Sequence, residues 1–259
     1  MRTFRAVVLG LATVLFALPL VAMLEFSTRG ADGREWTTWR TLLDVGTLRQ
    51  EHPDLVDGLV TSLELAALTA ALMLVLLVPT LVWVRLRAPR LQAVLEFLCL
   101  LPLSVPPVVL VVGLAPVYSW VVYFLGGSAL TLTFAYVVLV LPFAFRSLVA
   151  GLGALDLPTL SEAARSLGAG WGTVVVRVVL PNLRRAVLGA AFLAIATVLG
   201  EFTFANLLNY VTLQTQINQL GKDDAQLSVA VSFATLLVGM ALLLTLALLP
   251  TGRRRRRSS

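Results

Sequence analysis

The chain is expected to be an all-α integral membrane protein of six transmembrane helices, and three observations lead there. Of its 259 residues, 58% are hydrophobic and only 13% are charged, with a mean hydropathy of +0.91. A soluble globule averages about 45–50% apolar and roughly 25% charged residues. The apolar residues gather in uncharged runs long enough to cross a ~30 Å hydrocarbon core, which takes about 20 residues of helix. The basic residues then fall mostly on one side of the implied topology.

The spans follow in order. Ala6 to Leu24 is uncharged for 19 residues behind Arg2 and Arg5. A signal peptide begins in the same way, but this run is long for one and Val21-Ala22-Met23 makes a poor cleavage site, so it is read as helix one. The outer loop, Glu25 to Asp57, is mixed and acidic, with Trp36 and Trp39 suited to the membrane interface. Leu65 to Val84 is uncharged for 20 residues and, with Gly58 to Glu64 ahead of it, forms helix two.

Phe97 to Phe145 is uncharged for 49 residues. As one helix it would reach ~73 Å, so it folds back on itself. Gly126-Gly127-Ser128 is the natural turn, giving helices three (92–114) and four (129–149), with Ala115 to Leu125 either extending helix three or lying at the interface. Helix five covers 187–209 and helix six 227–250. Six spans put both termini on one side, and 15 of the 20 basic residues lie there, including the run Arg253 to Arg257. By the positive-inside rule that side is cytoplasmic, N-in and C-in. The chain thus divides into helix one (6–24) with its outer loop (1–57), a core (58–250) and a basic tail (251–259).

Several chemistries are excluded. One cysteine, Cys99, permits neither an internal disulfide nor a thiolate zinc cluster, and one histidine, His52, permits no histidine-rich metal site. They read as a small buried hydrophobe and a solvated loop residue. The lone lysine, Lys222, follows Gly221, but Gln216 and Asp223 stand where a P-loop needs glycine and Ser/Thr. Gly168 and Gly170 start no dinucleotide fingerprint, because Thr173 fills the third glycine position. No Ser/His/Asp set or carboxylate pair offers a reaction site. No enzyme, cofactor, metal or nucleic-acid partner is expected, and the basic tail faces anionic lipid.

The informative segment is the inner loop from Leu152 to Ala186. Thr159 and Glu162 form a T-x-x-E capping box that predicts a helix just after Pro158. Ala163, Ala164 and Leu167 fall on one face of it, and Gly168 ends it. Small alanines on an exposed helix let another surface approach closely.

The spacing Glu162-Ala163-Ala164, Gly168, Val178, Leu180-Pro181 resembles the EAA loop of type I ABC importer permeases, with valine where isoleucine is usual. Leu101-Pro102-Leu103-Ser104-Val105-Pro106-Pro107 and Leu141-Pro142-Phe143-Ala144-Phe145-Arg146 are also similar to that family, over about Gly58 to Leu249. The resemblance implies a multi-pass permease subunit of a prokaryotic inner membrane. Its coupling helix, around Glu162 to Gly168, would seat in a separate ATP-binding subunit present in two copies. A second permease, identical or paralogous, and an extracytoplasmic substrate-binding protein would complete the importer.

Within helix five, Glu201 lies outward of the midpoint, and charges inside spans default to functional hypotheses. Glu201, Thr203, Asn206 and Asn209 are expected either to line the translocation path or, for Glu201, to fix packing through an interhelical hydrogen bond or an ion pair such as one with Arg146. Glu64 reads as interfacial, and Glu96 as a partner of Arg90. The flavour of Leu199-Gly200-Glu201-Phe202-Thr203 resembles spermidine/putrescine permeases first, with iron(III), thiamine, phosphonate and sulfate/molybdate permeases as alternatives. From another class, a secondary transporter or channel would need inverted repeats and paired intramembrane charges, and neither is visible. A non-transporting membrane scaffold would leave the polar stripe of helix five superfluous.

Overall fold

Apolar runs punctuated by proline and glycine set the element order. The computed structural model describes residues 2–30 and 33–248. Helix α1 (Arg2–Ser27) is followed by a two-stranded hairpin, β1 (Arg29–Gly30) with β2 (Gly33–Arg34), and by two short helices, α2 (Thr37–Leu43) and α3 (Val45–Glu51). Asp44 caps α3, accepting from the amides of Gly46 and Thr47. Next come α4 (Pro53–Arg87), α5 (Gln92–Leu100), α6 (Pro107–Leu125) and α7 (Thr133–Gly153). The inner loop carries α8 (Leu157–Ser166), then α9 (Trp171–Thr173), which runs through a π-helical turn into α10 (Leu180–Leu199). Last are α11 (Thr203–Leu207), α12 (Leu213–Asp223) and α13 (Ala225–Leu248).

Among the described residues, five helical stretches are long and apolar enough to cross a membrane: Phe4–Ser27, Pro53–Arg87, Pro107–Leu125, Ala129–Gly153 and Trp171–Leu199. A shorter apolar stretch, Ala225–Ala241, occupies most of the expected sixth span. The end of that span, 249–250, and the basic tail, 251–259, lie outside the described residues.

Two expected helices are interrupted. Helix three, expected over 92–114, breaks after Leu100 into a 3-10 turn, Leu101–Ser104, followed by extended backbone at Val105 and Pro106. Pro102, Pro106 and Pro107 remove ladder donors, and Pro106 and Pro107 hold the residues before them, Val105 and Pro106, in extended geometry. The membrane-length helix is therefore Pro107–Leu125, which assigns Ala115 to Leu125 to α6, and Gly126, at φ +84°, ends it at the expected turn. Helix five, expected over 187–209, starts far earlier, at Trp171, and stops at Leu199. His52, expected in a solvated loop, is half-buried between α3 and α4.

Three helices, α4, α7 and α10, hold the core, with Leu65, Met73, Tyr136, Phe145, Leu148 and Leu183 buried among them. Lipid is as apolar as leucine, so close backbone approach through small residues favours association in a membrane. Ser147 and Gly151 on α7 face Ala186 and Gly189 on α10, and Ser147 Oγ donates to the Ala186 carbonyl at 3.1 Å. A Cβ at Gly151 would collide with Ala186 Cβ and come within 2.9 Å of Leu183 Cδ1. A second apolar cluster joins α3, α4, α12 and α13 through Leu48, Leu55, Leu213, Ile217 and Leu227. By contrast, the most apolar stretch of α1 is 0% buried and that of α6 only 11%.

This packing makes Gly151 a sensitive position. Gly151→Leu should cost about 1–3 kcal/mol or more by overpacking, read as a lower melting temperature and yield of the detergent-purified chain. Gly153→Leu, where an added Cβ meets nothing within 4 Å, is the control and should leave both unchanged.

Candidate functional site

The inner-loop helix begins one turn earlier than the T-x-x-E pattern implies. Asp156 is the N-cap of α8: its side chain accepts from the Thr159 amide at 3.4 Å, and Thr159 Oγ1 donates to it at 2.8 Å. The expected capping box of Thr159 and Glu162 does not form. Asp is at least as good a cap as Thr, and Pro158 fits the first turn, where its missing N–H has no partner to lose.

The C-terminus closes as a Schellman motif. The Gly168 amide donates to the Arg165 carbonyl at 2.9 Å and the Ala169 amide to the Ala164 carbonyl at 3.1 Å, with Gly168 at φ +84°. That left-handed geometry suits glycine, so Gly168 ends the helix as expected.

Leu157 and Ser161 are buried and Ala164 packs half-buried on the core. Glu162, Ala163 and Gly168 are exposed, and Leu167, at the C-cap, is 89% exposed. The expected common face of Ala163, Ala164 and Leu167 is thus divided, Ala164 turning inward and the other two outward. Pro181 brings no N–H to the helix ladder, and the turn ahead of it widens into a π-helix, Val174–Val179. Asn182 Nδ2 donates to the Val178 carbonyl there at 2.7 Å. Leu180 is half-buried and Pro181 exposed.

The second group of expected site residues lies past the end of α10. Glu201, 8% exposed, turns its carboxylate onto the amide of Phe204 at 3.0 and 3.2 Å, at the start of α11. Phe204 in turn meets the ring of Tyr136 edge-on at 6.0 Å. Gln214 Nε2 donates to the Leu199 carbonyl at 2.9 Å, and Ser62 Oγ on α4 accepts from the Leu213 amide at 2.8 Å. Thr212 and Thr215 form a capping box at α12, and Asn209 adopts φ +62°. Thr203 is half-buried, and Asn206 and Asn209 are exposed. Sequence reasoning missed Gln214, because an unbroken helix five leaves no free Leu199 carbonyl, and missed Ser62 and Thr215, which serve the amides of Leu213 and Thr212 at the start of an α12 that was not expected.

Neither expected ion pair is present. Arg146 Nη1 lies 3.4 Å from Glu96 Oε1, with both side chains about half exposed. Arg146 therefore pairs with Glu96 on the neighbouring α5, replacing both Glu96–Arg90 and Glu201–Arg146. Beside the break, Leu59, Leu63, Phe192, Leu199, Ile217 and Val231 line an apolar crevice of about 530 Å³. Among the described residues no cluster of His, Cys, Asp and Glu is arranged to hold a metal.

The family model described as "Binding-protein-dependent transport system inner membrane component" matches residues 80–255. The chain belongs to that family. It is similar to the molybdenum transport system permease protein ModB of Mycobacterium tuberculosis and of Mycobacterium bovis, with 32% identity to each over 253 residues, covering 90% of this chain and 88% of theirs. The Azotobacter vinelandii protein of the same name is 34% identical over 152 residues, covering 54% of this chain and 67% of that one. A member of this family is a multi-pass ABC permease of the bacterial plasma membrane, a transport subunit and not an enzyme. Membership implies an ATPase partner and a substrate-binding protein.

The Glu201 geometry separates charge from hydrogen bonding. Glu201→Gln keeps an oxygen for the Phe204 amide and should cost no more than about 1 kcal/mol, whereas Glu201→Ala strands a buried N–H at about 1–3 kcal/mol. Thermal stability and vesicle uptake of the assembled importer check this. Full stability with lost uptake in Glu201→Gln would mean that the carboxylate charge acts on the substrate.

Proposed function

We propose that this chain is one of two permease subunits enclosing the translocation path of an ATP-driven importer for molybdate or a closely similar tetrahedral oxyanion. The similarity to molybdenum permeases along 90% of this chain and 88% of theirs is the observation that carries the substrate. The path chemistry agrees with it. Glu201 is the one charged side chain among the buried described residues, and its oxygens are engaged by the Phe204 amide. A path for a dianion is better lined by neutral donors, and Thr203, Asn206 and Asn209 are of that kind. The spermidine/putrescine reading rested on the flavour of residues 199–203, and the three relatives are all named for molybdenum.

In this proposal α8 is the coupling helix. Its outward residues Glu162, Ala163, Leu167 and Gly168 seat in an ATP-binding subunit, while Ala164, Leu180 and Pro181 tie the loop to the membrane core. Two ATP-binding subunits, each seating one coupling helix, would switch the pore between inward and outward access. The six spans run N-in and C-in, with α8 in the cytoplasm.

Two measurements test this. Proteoliposomes holding the permease pair, its ATPase and its binding protein should take up labelled molybdate with ATP hydrolysis, and excess tungstate should compete. Uptake of spermidine without molybdate would overturn the substrate. Reporter fusions after Leu24 and Asp223 should read outside, and those after Arg90, Leu167 and Ser259 inside. An outside reading at Leu167 would remove the coupling role.

A further inference from the structure

The inner loop contains a contact that neither helix capping nor the outward face of α8 requires. The Trp171 ring, on the first turn of the helix leading into α10, has a guanidinium within cation–π distance from each of two other elements. Arg87, the last residue of α4, places its Cζ 4.7 Å from the ring centroid, and Arg165, in the last turn of α8, places its Cζ 4.8 Å away. A cation within about 6 Å of an indole centroid is attracted by the ring's quadrupole. Two like charges would otherwise push apart the chain ends that carry them, and the shared ring offsets that repulsion.

Trp171 is itself held. It lines an apolar groove of about 620 Å³ between α4 and α10, with Val78, Val82, Trp83, Val175 and Leu180. The ring thus has one apolar side and is 36% exposed, as suits tryptophan at a membrane interface, and Arg87 and Arg165 are exposed as well.

We propose that Arg87, Trp171 and Arg165 form the clamp that transmits displacement of α8 to the inner ends of α4 and α10. The inference rests on the reading of α8 as the coupling helix and adds the route its motion takes into the membrane. Leu157, Ser161 and Ala164 seat α8 on the core through apolar and small side chains, contacts that permit sliding. The clamp fixes α8 to the two other elements at a defined point. Directly behind Trp171 the π-helical turn Val174–Val179 interrupts the regular ladder, and such turns recur at functional sites. Motion delivered at Trp171 therefore meets α4 through Arg87 and α10 through the π-turn. The three residues act as positioning residues; none is required to touch substrate or nucleotide.

The experiment uses the whole importer in proteoliposomes. A Ser166→Cys substitution, at an exposed position in the last turn of α8, and a bifunctional thiol cross-linker report seating on the ATPase, while ATP hydrolysis and molybdate uptake are measured together. Trp171→Ala should keep the cross-link and hydrolysis, yet lower molybdate transported per ATP by about fivefold to a hundredfold, the usual range of a coupling free energy. Trp171→Phe retains an aromatic face and should recover most of that ratio. An unchanged ratio in Trp171→Ala with the cross-link retained overturns the clamp alone, as does a Phe variant no better than Ala. Lack of a cross-link with Trp171 intact overturns the coupling-helix reading, and the clamp with it.

Discussion

A backbone amide or carbonyl in hydrocarbon has no water to turn to, so every break in a membrane helix must bring its own partners. The arrangement beyond Leu199 depends on this constraint. When α10 stops, the Glu201 carboxylate takes the Phe204 amide and the Gln214 side chain takes the Leu199 carbonyl. When the chain re-enters helix at Leu213, Ser62 of α4 and the Thr212–Thr215 box supply the rest. These bonds hold a turn and a five-residue helix, Thr203–Leu207, in place of a continuous span. Irregular backbone at membrane depth is tolerated only where protein covers it or a polar cavity meets it. In the proposed importer, the break is thus a natural place for a path to pass.

The same constraint is met differently in the core and in the inner-loop helix. The small-residue contact of Ser147 and Gly151 with Ala186 and Gly189 brings α7 and α10 close along that stretch and gives the core little room to adjust. The inner-loop helix is different. Asp156 at one end and the Gly168 Schellman turn at the other satisfy its terminal groups locally. A helix closed at both ends by its own residues keeps its shape when its seat changes. That suits the proposed coupling role, in which the helix moves as a unit between two arrangements of its neighbours.

Much of this was legible in the sequence, because hydrophobic run length reports membrane helices directly. Helices one, two and four, the Gly126–Ser128 turn and the stop at Gly168 are where run length and glycine chemistry put them. The breaks were less legible. Around Leu101–Pro106 the prolines were visible, yet run length alone favoured one helix. At Gly200 the apolar pattern passes on through Phe202, Phe204 and Ala205, so nothing in composition separates a spanning helix from a helix that stops and restarts. The capping box failed for a narrower reason. Asp156 and Thr159 both offer a capping side chain, and Pro158 at the second helical position lets Asp156 start the helix. The Glu96–Arg146 pair was missed because it joins residues 50 positions apart, on α5 and α7, whereas Arg90 was near in sequence.

The remaining question is what meets the cost of the charge in the span. A carboxylate near the middle of an apolar run invites a cationic partner, since an unpaired charge there is expensive. That inference assumes the cost must be met by another charge. A charge-assisted hydrogen bond from a backbone amide meets part of it, and the break at Gly200 presents such an amide at Phe204. The geometry of its own chain then gives Glu201 a partner without calling on a cationic cargo. Selectivity in a path that must also release its substrate requires binding that is favourable but weak. Neutral hydroxyls and amides such as Thr203, Asn206 and Asn209 fit that requirement for an oxyanion better than a fixed charge of either sign. In the proposed importer, strong discrimination then belongs to the binding protein that presents the substrate.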